Sequence, residues 1–313
     1  MQKQKSRTQT NWILPNESFP LYQLERRKLK WASTPEKARR SLLWIFFPPI
    51  IALIILWFVF IYRDSFFQSW NYWHWGYLYI IFLASMTLLS GLLDFASMVV
   101  TFSSMRNEQV FSRLDLLALA TEKENITRSK HAFAKLRITR FLVFNLAVRV
   151  AVLLMLGLLF LLSGYFFGYW STLLEPWHEF VYNIREYPLI SIAVGIGGTL
   201  VFAFYLLEPI WRVNAITAMG IALSARIKNI ALLAPMAFFI LAIMWILQGI
   251  VLGFTTFVMW SFIMGISISN TSIPQWLDFI GLLIALLIYL TVAYGFYYII
   301  RNIAYGRIYA RIP

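Results

Sequence analysis

Apolar runs of 18 or more residues recur along the chain, at about 43–62, 77–105, 141–164, 189–207, from 230 onward, and 277–300. Each is long enough to cross a bilayer as a helix rising about 1.5 Å per residue. No other feature constrains the fold as tightly. Hydrocarbon offers no water to the backbone, so a spanning segment must satisfy its own N–H and C=O groups as a helix or within a closed barrel. Barrel strands alternate apolar and polar positions over about ten residues, and these runs do not alternate. The expected fold is an all-α membrane protein with six transmembrane helices. The 60% hydrophobic and 13% charged residues leave little material for a soluble domain.

Charge fixes the expected orientation. Ten Lys or Arg precede residue 43, eight lie in 101–140, three in 208–229 and three after 300, while only Arg63, Arg149 and Arg185 fall elsewhere. Six crossings with both termini in the cytoplasm place nearly all the positive charge inside. The organisation is then a basic, amphipathic cytoplasmic segment at 1–42, a six-span domain at 43–300 and a basic tail at 301–313. Residues 21–44 read as an interfacial element leading into the membrane, interrupted at Pro35, with Thr34 capping the helix that Pro35 begins. The basic segment is not assigned to nucleic acid, because the same charge retains an N-terminus in the cytoplasm. The first apolar run starts too late, and is too long, for a cleaved signal peptide. Trp70, Tyr72, Trp73, Trp75, Tyr77 and Tyr79 form an expected aromatic belt at the outer interface. The run from 230 to 268 exceeds one crossing, and a seventh crossing would put the basic tail outside. Residues 253–268, punctuated by Gly253 and Gly265, are therefore expected to form a re-entrant or interfacial outer segment.

One polar stretch interrupts this pattern, residues 106–140 between the second and third spans. Val110, Phe111, Leu114 and Leu117 give its first part an apolar face at helical spacing. Thr121 stands three residues before Glu124, the signature of a capping box opening a second helix. The element reads either as a dock for a partner at the cytoplasmic surface or as an amphipathic hairpin on the lipid headgroups.

Few residues are placed for chemistry. Asp94 and Arg149 are the ionisable residues well inside the expected spans, at depths agreeing to within about one turn. Burial of either alone is costly, so an ion pair between the second and third spans is expected, structural or at a proton or substrate site. Glu208, followed by Pro209, ends the fourth span, as a hydrogen-bond acceptor at the boundary or a solvated helix-end charge. The chain has no cysteine, which excludes disulfides and thiolate-held metals. His74, His131 and His178 are scattered over loops on opposite sides and show no metal-ligand spacing. No GxxxxGK[ST] phosphate loop, GxSxG elbow or HExxH pair occurs, so neither ATP hydrolysis nor another enzymatic activity is expected of this chain. Gly195, Gly197 and Gly198 sit in an apolar span as packing or flexing points.

The central stretch resembles the inner loop of type-2 ABC exporter permeases. Glu108, then Leu114-Asp115-Leu116-Leu117-Ala118-Leu119, then Ile126 and Lys130 stand in the order of that family's motif. Thr121 falls two residues late, Glu122 replaces a proline, and the Gly-Thr that often precedes the Leu-Leu pair is missing. The basic helix before the first span, the six spans and the outer re-entrant segment are also similar. The resemblance implies a coupling element that docks on a separate ABC ATP-binding subunit, which holds the ATP and Mg, and a second permease chain completing a homo- or heterodimer. The docking residues it implies are Arg113, Leu114, Asp115, Leu117, Thr121, Glu122, Glu124, Arg128 and Lys130, with residues 21–40 as a second contact. The expected function is the permease subunit of an exporter in the cell (inner) membrane. Uncharged, aromatic-rich spans favour a hydrophobic or amphipathic substrate over a small ion. The alternatives are an ATP-independent secondary transporter using Asp94 and Arg149, and a non-transporting scaffold subunit.

Overall fold

The computed structural model describes residues 20–62, 72–102, 123–166, 188–227, 229–269 and 275–310. Every element among them is an α-helix. A short α1, Pro20–Arg27, precedes six long helices: α2 Pro35–Tyr62, α3 Tyr72–Thr101, α4 Lys123–Phe166, α5 Pro188–Ser224, α6 Ile230–Ser269 and α7 Gln275–Tyr309. Helices α2, α4, α5, α6 and α7 each carry an apolar stretch long enough to cross a membrane, and Thr87–Thr101 of α3 adds a shorter one. Large apolar side chains such as Trp44, Phe47, Leu92, Phe239 and Ile303 point outward. An apolar exterior of that extent suits acyl chains rather than water. The protein is a multi-pass α-helical membrane protein.

Local chemistry explains where helices begin. Thr34 Oγ1 accepts the Lys37 N–H at 3.3 Å and the Thr34 carbonyl accepts the Ala38 N–H at 3.0 Å. Pro35 occupies the first helical position, where a missing N–H costs nothing. Asn229 Oδ1 accepts the Ala231 N–H at 3.0 Å and opens α6 in the same way.

Helix α5 is central, packed on α3, α4, α6 and α7. Small residues let these helices approach. Ala218, Ala222 and Ala225 meet Ala304 and Ile308 of α7 and Ile126 of α4 in one buried cluster. Gly220 lies against Thr101 and Met98 of α3, and a Cβ there would fall inside contact distance of Thr101 Oγ1. Tyr22 of α1 is buried with Ala38 of α2 and Ala132 and Leu136 of α4. The starts of α2 and α4 and the ends of α5 and α7 thus gather at one end of the bundle. The positive-inside pattern makes this the cytoplasmic end.

Three expected boundaries are corrected. Residues 123–140 are not a separate surface helix, because α4 runs unbroken from Lys123 through the third span. Its first turns are held by burial of Ile126, Ala134 and Leu136. Residues 208–229 are not an inner loop either. Helix α5 continues to Ser224, since its Ala-rich end is helix-favouring and buried. The third correction concerns the outer segment at 253–268. Helix α6 passes through Gly253 and Gly265 as one 40-residue helix. A mid-helix glycine costs about 1 kcal/mol, whereas a break in an apolar setting strands backbone groups at several kcal/mol each, so the helix persists. At about 60 Å, α6 is roughly twice the hydrocarbon thickness.

Candidate functional site: an intramembrane charge network

Three buried charges, Asp94, Arg149 and Glu208, and the part-buried Arg212 meet where α3, α4, α5 and α7 converge. Glu208 of α5 is at the centre. Its Oε2 accepts Arg149 Nη2 at 3.1 Å, and its Oε1 accepts Arg212 Nε at 2.7 Å and the Tyr297 hydroxyl at 2.8 Å. Arg149 Nη2 also donates to Ser90 Oγ at 2.8 Å, and its guanidinium stacks 4.9 Å from the Tyr205 ring centroid. Arg149 Nη1 donates to the Tyr205 backbone carbonyl. Pro209 explains why that carbonyl is available. A proline has no N–H, so the carbonyl four residues earlier, that of Tyr205, loses its helical donor. The Glu208-Pro209 pair therefore supplies both a carboxylate and a freed carbonyl, and Arg149 takes both.

Asp94, fully buried on α3, accepts the Trp245 indole N–H of α6 at 2.8 Å through Oδ2. Arg212 Nη1 lies 3.7 Å from the same oxygen, an electrostatic contact rather than a hydrogen bond. The expected Asp94–Arg149 pair is thus corrected. Each residue pairs instead with a charge of α5, and the two are linked through Glu208 and Arg212. The reason is geometric. Helix α5 packs on both α3 and α4, and Glu208 and Arg212, four residues apart, share one of its faces. Glu208 is no solvated end charge, being only 6% exposed. Arg212 is no loop residue.

The four formal charges sum to zero, which is how a low-dielectric interior accommodates them. The site lies about 13 Å beyond Arg140 along α4 and about 6 Å beyond Arg301 along α7. It is roughly one to two and a half turns inside these inner charges. Two buried atoms, Asp94 Oδ1 and Arg149 Nε, have no hydrogen-bond partner among the described residues.

The residues of the expected docking surface separate. Arg113, Leu114, Asp115, Leu117, Thr121 and Glu122 lie outside the described residues. Glu124 and Arg128 form an ion pair one turn apart at the start of α4, each side chain about half exposed. Lys130 is corrected: its side chain is 4% exposed and donates to Glu25 of α1 at 2.6 Å. Two residues along a helix is about 200° of rotation, so Arg128 and Lys130 face opposite ways. Lys130 fastens α1 to α4 and is closed to a partner. Residues 21–40 are divided likewise. Tyr22 and Ala32 are buried, while Arg27, Lys28, Lys30, Lys37, Arg39 and Arg40 are exposed.

His131, expected on a loop, is buried in α4. Its Nε2 donates to the Asn214 carbonyl at 3.1 Å and lies 2.8 Å from Thr217 Oγ1. Its Nδ1 accepts the Tyr305 hydroxyl at 2.6 Å. It is a polar rivet between α4, α5 and α7. Among the described residues no group of His, Asp or Glu is arranged to hold a metal.

This is a membrane-embedded bundle with a charge-balanced network at its inner half. The chain matches no protein-family model, no curated protein and no solved structure.

Proposed function

We propose that the chain is the permease subunit of an ATP-driven exporter in the cell (inner) membrane. ATP and Mg act in a separate ATP-binding subunit, and a second permease chain completes the pathway. One observation carries the reading. Helix α4 is continuous from the exposed Glu124–Arg128 pair, beside the exporter-like motif, to Arg149 in the charge network. A rigid rod of this kind transmits a displacement at the membrane surface to the packed spans, which respond by switching between arrangements. Transport, not chemistry on a substrate, is the role assigned to this chain.

The test is co-purification from native membranes in mild detergent, with ATPase activity assayed on the eluate. An ATP-binding subunit is expected to co-elute, and charge reversals at Arg113, Asp115 and Arg128 are expected to release it while the permease stays folded. Absence of any nucleotide-binding partner, under conditions that preserve other membrane complexes, overturns the proposal. A second reading, ATP-independent transport, is favoured by the unpartnered, buried Asp94 Oδ1. It predicts that Asp94→Asn abolishes transport in vesicles lacking ATP. Stable partners without any transport would leave the scaffold role.

A further inference from the structure

A cleft of about 870 Å³ opens on the side of the bundle between α3 and α6, beside the charge network. Its walls are mostly apolar, with Leu92 and Phe95 from α3 and Phe238 from α6, and its polar groups include Arg212, Trp245 and Gln248. Asp94 is buried and bonded to the Trp245 indole, so Arg212 is the charged residue that lines the cleft.

Arg212 uses only one edge of its guanidinium. Nε–H serves Glu208 and, at 3.2 Å, the Tyr297 oxygen. Nη1 has only the 3.7 Å contact with Asp94, and among the described residues neither Nη1 nor Nη2 makes a hydrogen bond. A guanidinium that lines a mostly apolar cleft with donors unused has the planar fork that suits a carboxylate or a similar oxyanion. An apolar slot ending in such a fork fits an amphiphile whose head is anionic and whose tail is hydrocarbon. The volume limits the tail. At about 30 Å³ per methylene, roughly that of a water molecule, an eighteen-carbon chain needs about 500 Å³. One chain and its head are accommodated with room to spare, whereas two such chains, at about 1,000 Å³, exceed the cleft. The depth is also suitable, since the network that Arg212 joins lies roughly one to two and a half turns inside Arg301 and Arg140, within reach of a head from the inner leaflet.

We infer that this cleft binds a single-chain anionic amphiphile, a long-chain carboxylate, with its head on Arg212 and its tail between α3 and α6. The site belongs to this chain alone and stands whether or not an ATP-hydrolysing partner exists.

The test uses the full chain in phosphatidylcholine nanodiscs, titrated with the fluorescent fatty acid cis-parinaric acid and with its uncharged methyl ester, against empty nanodiscs. Saturable binding of the acid is expected, with the ester at least tenfold weaker. Arg212→Gln should bring the acid to the level of the ester. Gly249 and Gly253 provide an arm that leaves the network untouched, and it decides the matter even if Arg212→Gln fails to fold. Both line the cleft one turn apart on α6, and a Cβ at either meets nothing within 4 Å. Gly249→Leu with Gly253→Leu should fill the cleft and weaken both ligands more than tenfold, in protein that remains helical and monodisperse. Equal affinity for acid and ester, or unchanged binding in the glycine variant, overturns the inference. So does a dimer in which a second copy covers the cleft and no acid binds.

Discussion

Glu208→Gln tests whether charge balance holds the core together. The wild-type network has two cations and two anions, and Glu208 accepts from Arg149, Arg212 and Tyr297 at 3.1, 2.7 and 2.8 Å. The substitution changes little in size and removes one negative charge. Two buried guanidinium groups then face Asp94 alone, and the new amide NH2 points donors at donors. Breaking a buried pair by removing one partner costs about 3–5 kcal/mol. At about 1.4 kcal/mol per factor of ten, the unfolded fraction should rise by a factor on the order of hundreds to thousands. Adding Arg149→Gln restores neutrality. The double variant still loses the bonds of Arg149 to Ser90 and to the Tyr205 carbonyl, about 1 kcal/mol each, but it no longer holds an unbalanced cation. It should therefore be more stable than Glu208→Gln alone by about 2 kcal/mol, a strongly non-additive result. Reversible unfolding in mixed micelles, followed by circular dichroism with increasing dodecyl sulfate, measures both. If the two losses simply add, charge balance is not what stabilises the site.

Gly220→Ala should destabilise by about 1–3 kcal/mol through overpacking against Thr101, despite the better helix propensity of alanine. Thr101→Ala in the same chain should recover most of the loss in a thermal-stability assay. Lys130→Met should release α1 by stranding Glu25, seen as trypsin cleavage at Arg26–Lys30. Arg128→Glu should leave α1 protected, since its pair with Glu124 is exposed and worth about 0.3–0.5 kcal/mol. Asn145→Leu should stabilise by about 1–2 kcal/mol, because both amide atoms are buried without a partner among the described residues. Tyr305→Phe should cost about 1 kcal/mol by removing the donor to His131 Nδ1, and His131→Leu should cost more in the same assay.

The span positions and the break at Thr34-Pro35 were legible because each rests on local chemistry, an apolar run or a cap. The burial of Asp94 and Arg149 was legible for the same reason. Their partners were not. A hydropathy boundary ends a helix at its first charge, so Glu208 closed the fourth span and Arg212 fell into a loop. Yet the clue was present, since opposite charges four residues apart, with a proline between them, neutralise each other on one helix face and free a carbonyl. Trp245 offered no such clue, standing in an apolar run among similar residues. Lys130 and Arg128 look like one surface in the sequence because adjacency hides a rotation of about 200°. The far end of α6 is illegible for another reason. Gly253 and Gly265 suggested a break, but the apolar setting made continuation cheaper.

The charge network also sets an order for biogenesis. Arg149 leaves the ribosome 59 residues ahead of Glu208, and a lone arginine at helix centre costs about 2.5–3.5 kcal/mol to pass into lipid. Asp94 faces the same penalty still earlier. The apolar residues around each charge offset that penalty, and the charges themselves are matched only when α5 brings Glu208 to Arg149 and Arg212 to Asp94, and α6 places Trp245 on Asp94.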